Sequence, residues 1–203
     1  MILAIDTSTA ACSAALFGED GECLAKHDKL LGRGHAERLV PILEALLDGR
    51  RADRVLVGVG PGSFTGIRVG IAAAHGLAIG WNASLSGMSS LALLAAGAGG
   101  SGQVAAVVNG GHGELFVQQF DASTLRPLTD LFNLTPSLAA EEMSASLAIG
   151  PGAQTLIDAR GDGEAREGWP SASNALRLPE PLRALDPKPL YARAPDAKVK
   201  SAA

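Results

Sequence analysis

The chain has 203 residues, of which 47% are hydrophobic and 25 are glycine, and its formal net charge is −4. This length suits one domain or two small lobes that share a cleft, and the apolar content excludes a disordered chain. The negative charge argues against a surface that binds nucleic acid as a whole. The two cysteines, Cys12 and Cys23, are too few for a disulfide framework, and we expect both to be reduced and buried.

The first predicted unit is a β-hairpin followed by an amphipathic helix. A strand over residues 2–5, a polar turn over 6–9 and a second strand over 12–17 form the hairpin, and a third short strand follows. Helical spacing then predicts a helix over residues 35–47 with one apolar stripe, Leu39, Leu43, Leu46 and Leu47. Pro41 lies inside this helix and predicts a kink, or a helix start shifted towards it.

The segment VGVGPGSFTGIRVGIAAAHGLAIG (residues 57–80) joins an apolar strand, a glycine-rich loop and a helix predicted over residues 67–79. Such a loop can bind phosphate at a helix N-terminus, but neither G-x-x-x-x-G-K-[ST] nor G-x-G-x-x-G is present. Small residues leave one helix face almost bare, which lets another helix approach closely. We therefore favour a packing role for Gly66, Gly70, Ala73, Ala74, Ala78 and Gly80.

The pattern of the first hairpin restarts after residues 97–103, which are rich in glycine and serine. A strand, a polar turn and a strand follow, with Asn109 in the place that Asp6 has in the first hairpin. The sequence therefore predicts an N-terminal lobe over residues 1–100. A smaller C-terminal lobe over residues 101–203 would end in an extended, proline-spaced tail.

No feature of the sequence indicates a membrane. The N-terminal apolar run has no basic flank, and no apolar run reaches the roughly 18 to 20 residues that a membrane span needs. We expect a cytoplasmic protein with no membrane partner.

Asp6 is the carboxylate best placed for a Mg²⁺–nucleotide site, because the hydroxyls of Thr7, Ser8 and Thr9 stand beside it. The alternative is a turn that hydrogen-bonds its own backbone, and the residues leave both open. No two of the four histidines have the spacing of a metal pair, so we predict no metal site. No G-x-S-x-G motif supports a serine triad.

A cluster of arginines raises the idea of direct RNA binding. Acidic residues interleave with these arginines, which is more typical of a solvated helix surface. The cluster consists of Arg33, Arg38, Arg50, Arg51 and Arg54.

Several segments together closely resemble the TsaB family of tRNA threonylcarbamoyladenosine biosynthesis proteins. They are ILAIDTSTAACSAALF, HAERLVPILEALL, GVGPGSFTGIRVGIAAAHGLAIG, GELFVQQF and PLYARAPDAK. The resemblance is strong over residues 1–100 and thin over 121–186, and GPGSFTGIRVG is its most specific part. It implies an α/β fold like that of actin, sugar kinases and Hsp70, with two ribonuclease H-like lobes of mixed sheets flanked by helices.

The resemblance implies a non-catalytic scaffold without a cofactor, a paralogue of the TsaD-type subunit that transfers the threonylcarbamoyl group to tRNA. TsaD-like chains carry an H-M-E-G-H metal motif, and here Ser90 and Leu94 stand near the ligand positions. Leucine cannot bind a metal. The implied partners are the TsaD-type subunit, a TsaE-type ATPase, tRNA through the complex, and a second copy of this chain when the partner is absent.

The resemblance also implies a pairing surface, because family members pair through the two helices of the first lobe. We expect Gly70→Leu to weaken pairing while the monomer stays folded. The implied interface residues are Leu39, Leu43, Leu46, Leu47, Gly66, Ile67, Gly70, Ala73 and Ala74.

Two points remain open beside the scaffold hypothesis. Asp6, Thr7 and Ser8 are a candidate vestigial nucleotide site, and an ATP- and Mg²⁺-dependent kinase or acyltransferase using Asp6 is the alternative function. The second hairpin also departs from the family pattern DAR-x-GE, since this chain has Asn109 and Gly111 there.

Overall fold

Each half of the chain builds a five-stranded mixed sheet in a computed structural model, which describes residues 1–191. The first sheet has the order β3-β2-β1-β4-β5 and the second β8-β7-β6-β9-β10. The strands are β1 (Ile2–Asp6), β2 (Ala11–Phe17), β3 (Cys23–Leu30), β4 (Arg54–Gly58), β5 (Ser84–Met88), β6 (Gln103–Asn109), β7 (Leu115–Asp121), β8 (Phe132–Leu134), β9 (Leu147–Ile149) and β10 (Glu164–Arg166).

Within residues 1–191, five α-helices flank the sheets and three short 3₁₀ helices lie in the connections. The α-helices are α1 (His35–Leu47), α2 (Phe64–Trp81), α3 (Ser90–Ala96), α4 (Pro136–Glu142) and α5 (Ala153–Arg160). The 3₁₀ helices are Gly111–Gly113, Ala172–Arg177 and Glu180–Leu182. Among the described residues, no helix has the length and apolar character needed to cross a bilayer.

The two sheets repeat one topology, and the duplicated hairpin that the sequence indicates forms the first two strands of each. In each sheet the first three strands pair antiparallel, and the fourth and fifth strands run parallel to the first. Asp6 ends β1 and Asn109 ends β6, so both lie at equivalent strand ends. The predicted fold class, two lobes of mixed sheets flanked by helices, is confirmed.

Alternation along β1 places helices on both faces of the first sheet. Leu3 and Ile5 point into a core with α1, whereas Ala4 points into a second core. That second core contains every residue of α3 after Ser90, and also Val104 and Ala106 of β6. Helix α3 therefore lies in the core that the two lobes share.

Helix α1 has the predicted bounds. Pro41 had predicted either a kink or a helix start shifted towards the proline, and the start is not shifted. The helix runs unbroken through the proline. Because proline has no N–H, the carbonyl of Glu37, one turn earlier, has no helical hydrogen-bond donor. Pro41 and Glu37 both lie on the exposed side of the helix, where water can bind the Glu37 carbonyl.

Helix α2 is longer than predicted at both ends. Ser63 caps its N-terminus, where the Ser63 hydroxyl accepts a hydrogen bond from the Gly66 N–H (3.2 Å). Asn82 ends the helix in the left-handed conformation (φ 54°). The prediction missed the first turn because it treated Phe64 as part of the glycine loop.

The chain returns to the first lobe after the second sheet is complete. The Ala172 N–H donates to the Ser13 hydroxyl (2.6 Å), and the Ser171 hydroxyl donates to Asp28 (3.0 Å). Leu185 then pairs with Gly87 at the edge of β5. The predicted extended tail lies outside the described residues from residue 192 onwards.

The two cysteines differ in their surroundings. Cys12 is buried in β2, as expected, and burial raises the pKa of its thiol to about 11. The expectation was wrong for Cys23, which is exposed because β3 is an edge strand with little covering it. Both thiols are free.

Candidate functional site

A cleft of about 1060 Å³ separates the two lobes. The turn after β1 and the N-termini of α1 and α2 form its first wall. The turn after β6, together with Pro151 and Trp169, forms the opposite wall. Ligand pockets commonly have this concave shape and mixed lining, so the cleft is where a nucleotide site of the predicted kind would lie.

Asp6 does not line the cleft and is only 1% exposed. Its Oδ1 accepts hydrogen bonds from the backbone N–H (2.9 Å) and the hydroxyl (2.7 Å) of Ser8, and its Oδ2 accepts one from the Ser90 hydroxyl (2.6 Å). The Ser90 oxygen also accepts a hydrogen bond from the Gly60 N–H (3.2 Å). The carboxylate thus joins β1, α3 and the glycine loop.

Burial raises the pKa of the Asp6 carboxyl above its ordinary value, because desolvation outweighs the hydrogen bonds from Ser90 and Ser8. A Mg²⁺ ion would have to displace the donors that now occupy both carboxylate oxygens. Among residues 1–191, no three His, Cys, Asp or Glu side chains are grouped so that they could hold a metal ion. Of the three candidate nucleotide-site residues, only Ser8 lines the cleft.

The turn after β1 is in direct contact with the glycine loop and with α2, which accounts for three glycines. The Thr7 hydroxyl donates to the Gly66 carbonyl (2.7 Å). A Cβ atom at Gly66 would collide with the Thr7 carbonyl, one at Gly70 with the Thr7 hydroxyl, and one at Gly62 with the Ser8 carbonyl. These glycines let α2 and its loop lie against the turn after β1. Gly66 and Gly70 therefore pack against the turn after β1 of the same chain, whereas the prediction was close approach by another helix.

The other predicted interface residues are also largely covered by the chain itself. The four leucines of the α1 stripe are buried against β1 and β2, and Ile67 and Ala74 are buried against β4. Ala73 is partly buried between α2 and α1. Most of these side chains therefore have their contacts within the first lobe, with the sheet or with the turn after β1.

Both helices expose their opposite faces. On α1, Val40 is 63% exposed, and on α2, Ile79 is 81% exposed. Ala72, Gly76 and Gly80 lie exposed on the same side of α2. A Cβ atom at Gly76 or at Gly80 would meet only open space. No contact within the described chain accounts for glycine at these two positions.

The second hairpin packs around its own glycine loop, as the first does. The Asn109 side chain donates to the Pro151 carbonyl (3.2 Å), and the Gly152 N–H donates to the Val107 carbonyl (3.2 Å). Asn109 and Gly111 line the cleft opposite Ser8. The departure from the family pattern therefore lies on the cleft wall.

Ser90 and Leu94, near the positions where the resemblance would align metal ligands, are fully buried on α3. Ser90 binds Asp6, and Leu94 lies in the core shared by the lobes. Neither side chain faces the cleft.

Sequence reasoning missed a cluster at the mouth of the cleft, formed by Phe64, Arg68 and Tyr191. The Arg68 guanidinium carbon lies 3.7 Å from the centre of the Phe64 ring and 5.8 Å from that of Tyr191. The Arg68 Nε–H donates to the Tyr191 hydroxyl (2.9 Å). The spacing of Phe64 and Arg68 by one helical turn could have indicated their contact, but no local signal reveals Tyr191.

Comparison with known proteins agrees with this architecture. The family model described as TsaD, tRNA N6-adenosine threonylcarbamoyltransferase, matches residues 28–129. The tRNA threonylcarbamoyladenosine biosynthesis protein TsaB of Escherichia coli K12 is 39% identical over 127 residues, which are 59% of this chain and 54% of that protein. TsaB of Bacillus subtilis 168 is 37% identical over 100 residues, which are 47% of this chain and 43% of that protein. The matched stretch thus spans about half the length of these relatives.

Solved structures match almost the whole chain. The structure of YeaZ from Pseudomonas aeruginosa superposes with a TM-score of 0.80 and 30% sequence identity, covering 94% of this chain and 98% of that one. A second Pseudomonas aeruginosa structure, described as similar to peptidase YeaZ, gives a TM-score of 0.81 and 30% identity. The superposition covers 95% of this chain and 99% of that one. With its duplicated sheets and a likeness that extends over nearly its full length, the chain belongs to the TsaB (YeaZ) family.

Proposed function

We propose that this chain is a non-catalytic subunit in the biosynthesis of threonylcarbamoyladenosine in tRNA, and that it binds and stabilises a TsaD-type catalytic subunit. Its relatives in Escherichia coli and Bacillus subtilis carry the name of that biosynthesis. The match to the TsaD family model supports a paralogue as partner, since related folds offer related surfaces for pairing.

The exposed face of α2 is the observation that carries this proposal. A glycine inside a helix costs about 0.5–1 kcal/mol relative to alanine. Gly70 is explained by its contact with Thr7, but Gly76 and Gly80 contact nothing near a Cβ position. Bare helix positions beside the exposed Ile79 suit close approach by a helix of another protein.

The interface that we propose therefore lies on the faces of α1 and α2 that point away from the sheet. The nine residues that the resemblance implies support these helices from beneath, since most of them are buried. The contact surface consists of Val40 on α1 and Ala72, Gly76, Ile79 and Gly80 on α2. A second copy of the chain is the proposed occupant of this surface when the catalytic subunit is absent.

The absence of turnover by the chain alone is also a proposal, supported by the surroundings of Asp6. Both Asp6 oxygens are bound by hydroxyl and amide donors of the chain, and the side chain is buried. Ser90 and Leu94 have structural contacts in place of ligand roles. The kinase or acyltransferase alternative would need Asp6 to leave this network.

Contacts with a TsaE-type ATPase and with tRNA are proposed to arise only in the assembled complex. Arg50, one of the five clustered arginines, donates to the carbonyls of Leu46 and Leu47 and so caps α1. Arg33 lines the cleft. These positions favour separate structural roles over one tRNA-binding surface.

Gly76→Leu is expected to stabilise the monomer slightly and yet to weaken pairing with the catalytic subunit by about tenfold or more, because leucine favours the helix but prevents close approach. Gly76→Ala is the matched control, with a similar gain in stability and a smaller loss of affinity. Thermal unfolding measures the first effect and titration calorimetry the second. Unchanged affinity of the leucine variant would contradict the proposed surface.

Threonylcarbamoylation of unmodified tRNA tests the function itself. The reaction contains a TsaD-type subunit, a TsaE-type ATPase and a threonylcarbamoyl-adenylate synthase, with and without this chain. We expect modification only when the chain is present, and no ATP hydrolysis by the chain alone. Equal modification without the chain would overturn the proposal, and Mg²⁺-dependent hydrolysis by the isolated chain would favour the kinase alternative.

A further inference from the structure

The aromatic cluster at the mouth of the cleft holds a guanidinium group in one orientation. Phe64 and Tyr191 stack with ring centres 5.6 Å apart, and the Arg68 guanidinium carbon lies closer to the Phe64 ring than to the Tyr191 ring. All three residues are exposed, Phe64 by 52% and Tyr191 by 44%. Aromatic residues and arginine are the residue types most enriched at the energetic centres of protein interfaces.

The charge of Arg68 is not neutralised within the described part of the chain. Only its Nε–H has a partner, the Tyr191 hydroxyl, and none of the ion pairs found among residues 1–191 includes Arg68. Helix α2 contains no Asp or Glu. The terminal nitrogens of Arg68 therefore offer parallel N–H donors, the arrangement that binds a carboxylate through two hydrogen bonds.

The returning segment of the chain fixes this arrangement. The Leu190 N–H donates to the Val59 carbonyl (2.8 Å), at the start of the glycine loop, and this bond places the next residue, Tyr191, beside α2. A residue far away in sequence thus completes the cluster. Pre-organised side chains lose less conformational entropy on binding than free ones.

The surroundings favour a protein over a nucleic acid as the ligand. The exposed face of α2 continues from Arg68 through Ala72 and Gly76 to Ile79; these last three residues are apolar, and the exposed His75 lies beside them. A phosphate backbone is bound by several lysines and arginines together, whereas Arg68 is the one Arg or Lys of α2 and the whole chain has a net charge of −4. A helix with small or apolar residues and one carboxylate fits this surface better.

We propose that Arg68, held by Phe64 and Tyr191, is the anchor that receives a carboxylate of the TsaD-type partner at the N-terminal end of the α2 interface. This inference deepens the proposed function and depends on it. Arg68 would set the register of the partner along α2, while Gly76 and Ile79 supply the close contact. The three residues lie on the sequence segments GPGSFTGIRVG and PLYARAPDAK.

Titration of a TsaD-type subunit with four full-length chains, at low and at high salt, tests this assignment. The chains are the unmodified protein, Arg68→Ala, Arg68→Lys and the control Arg51→Ala, which removes an exposed arginine that does not contact Phe64 or Tyr191. We expect Arg68→Ala to lower the affinity about tenfold at low salt and to remove most of the salt dependence. Lysine keeps the charge but not the two parallel donors, so the affinity of Arg68→Lys should lie between those of the unmodified protein and Arg68→Ala.

Each outcome separates the anchor from the proposed function. If the unmodified chain binds and Arg68→Ala binds equally well with the same salt dependence, the anchor is wrong and the proposed function stands. If the unmodified chain does not bind the TsaD-type subunit at all, both the proposed function and the anchor are wrong. If Arg68→Ala weakens only the binding of tRNA to the assembled complex, the ligand is RNA and the anchor is overturned. Thermal unfolding of each variant confirms that it is folded.

Discussion

Gly70→Leu is expected to unfold the first lobe at moderate temperature, and not to act as a specific block to pairing as the sequence had suggested. A Cβ atom at Gly70 would collide with the Thr7 hydroxyl and would lie 3.6 Å from a Cγ atom of Val57. The collision would also break the hydrogen bond from Thr7 to the Gly66 carbonyl. Overpacking of this kind costs about 1–3 kcal/mol, and the lost buried hydrogen bond adds about 1–3 kcal/mol. Urea unfolding followed by circular dichroism measures the loss.

Gly76→Leu provides the control, since it places the same side chain further along the same helix in open space. Its unfolding midpoint should equal or exceed that of the unmodified protein, because leucine is the better helix former. A Gly70→Leu protein with an unchanged midpoint would show that α2 can move away from Thr7 at little cost. The close contact between Gly70 and Thr7 would then not be required for stability.

Replacing Asp6 is expected to have the second large effect. Asp6→Ala removes the acceptor for the hydroxyls of Ser8 and Ser90 and for the Ser8 N–H. Each buried donor left without an acceptor costs about 1–3 kcal/mol. Ser90→Ala is the comparison, because it removes one donor and leaves the carboxylate in place. Urea unfolding should rank the proteins as unmodified, Ser90→Ala and Asp6→Ala in falling stability, and an Asp6→Ala protein as stable as the unmodified one would contradict the network.

The same carboxyl gives a pH dependence whose sign can be stated. Because burial raises the pKa of Asp6 in the folded protein, the folded state binds the proton more tightly than the unfolded chain does. The contribution of Asp6 to stability is therefore greatest below its unfolded pKa of about 3.9 and falls as the pH rises through the folded-state pKa. Asp6→Asn cannot titrate at this position. The unfolding free energy of the unmodified protein minus that of Asp6→Asn should decrease from about pH 4 upwards, and an increase would refute the assignment.

Local patterns were sufficient for most of the first lobe. Alternating apolar residues predicted the hairpin of β1 and β2 within one residue at each strand, and helical spacing predicted both bounds of α1. The repeat of the hairpin predicted two related lobes, and the structure shows that each contains a five-stranded sheet with the same strand arrangement. These features depend on neighbours in sequence, so a single chain reveals them.

The site was harder to predict because the sequence does not say which neighbour covers a small residue. Gly70 and Gly76 look alike in the pattern of α2, yet one meets Thr7 and the other meets open space. Asp6 was likewise placed correctly at the end of its strand, but Ser90, which binds it, is 84 residues away. The contact between Arg68 and Tyr191 spans 123 residues. Long-range contacts of this kind decide which face of a helix remains available.

The return of residues 171–191 to the first lobe has a consequence for how the protein is made. A chain that emerges from the ribosome with its N-terminus first can form β1 to β5 early, but the partners of Ser13, Asp28 and Gly87 arrive only after the second sheet has been synthesised. Tyr191 arrives last of all the described residues. The nascent first lobe would therefore lack the contact between Arg68 and Tyr191 until residue 191 has been synthesised. If the proposed anchor is right, pairing through Arg68 would begin only after that point.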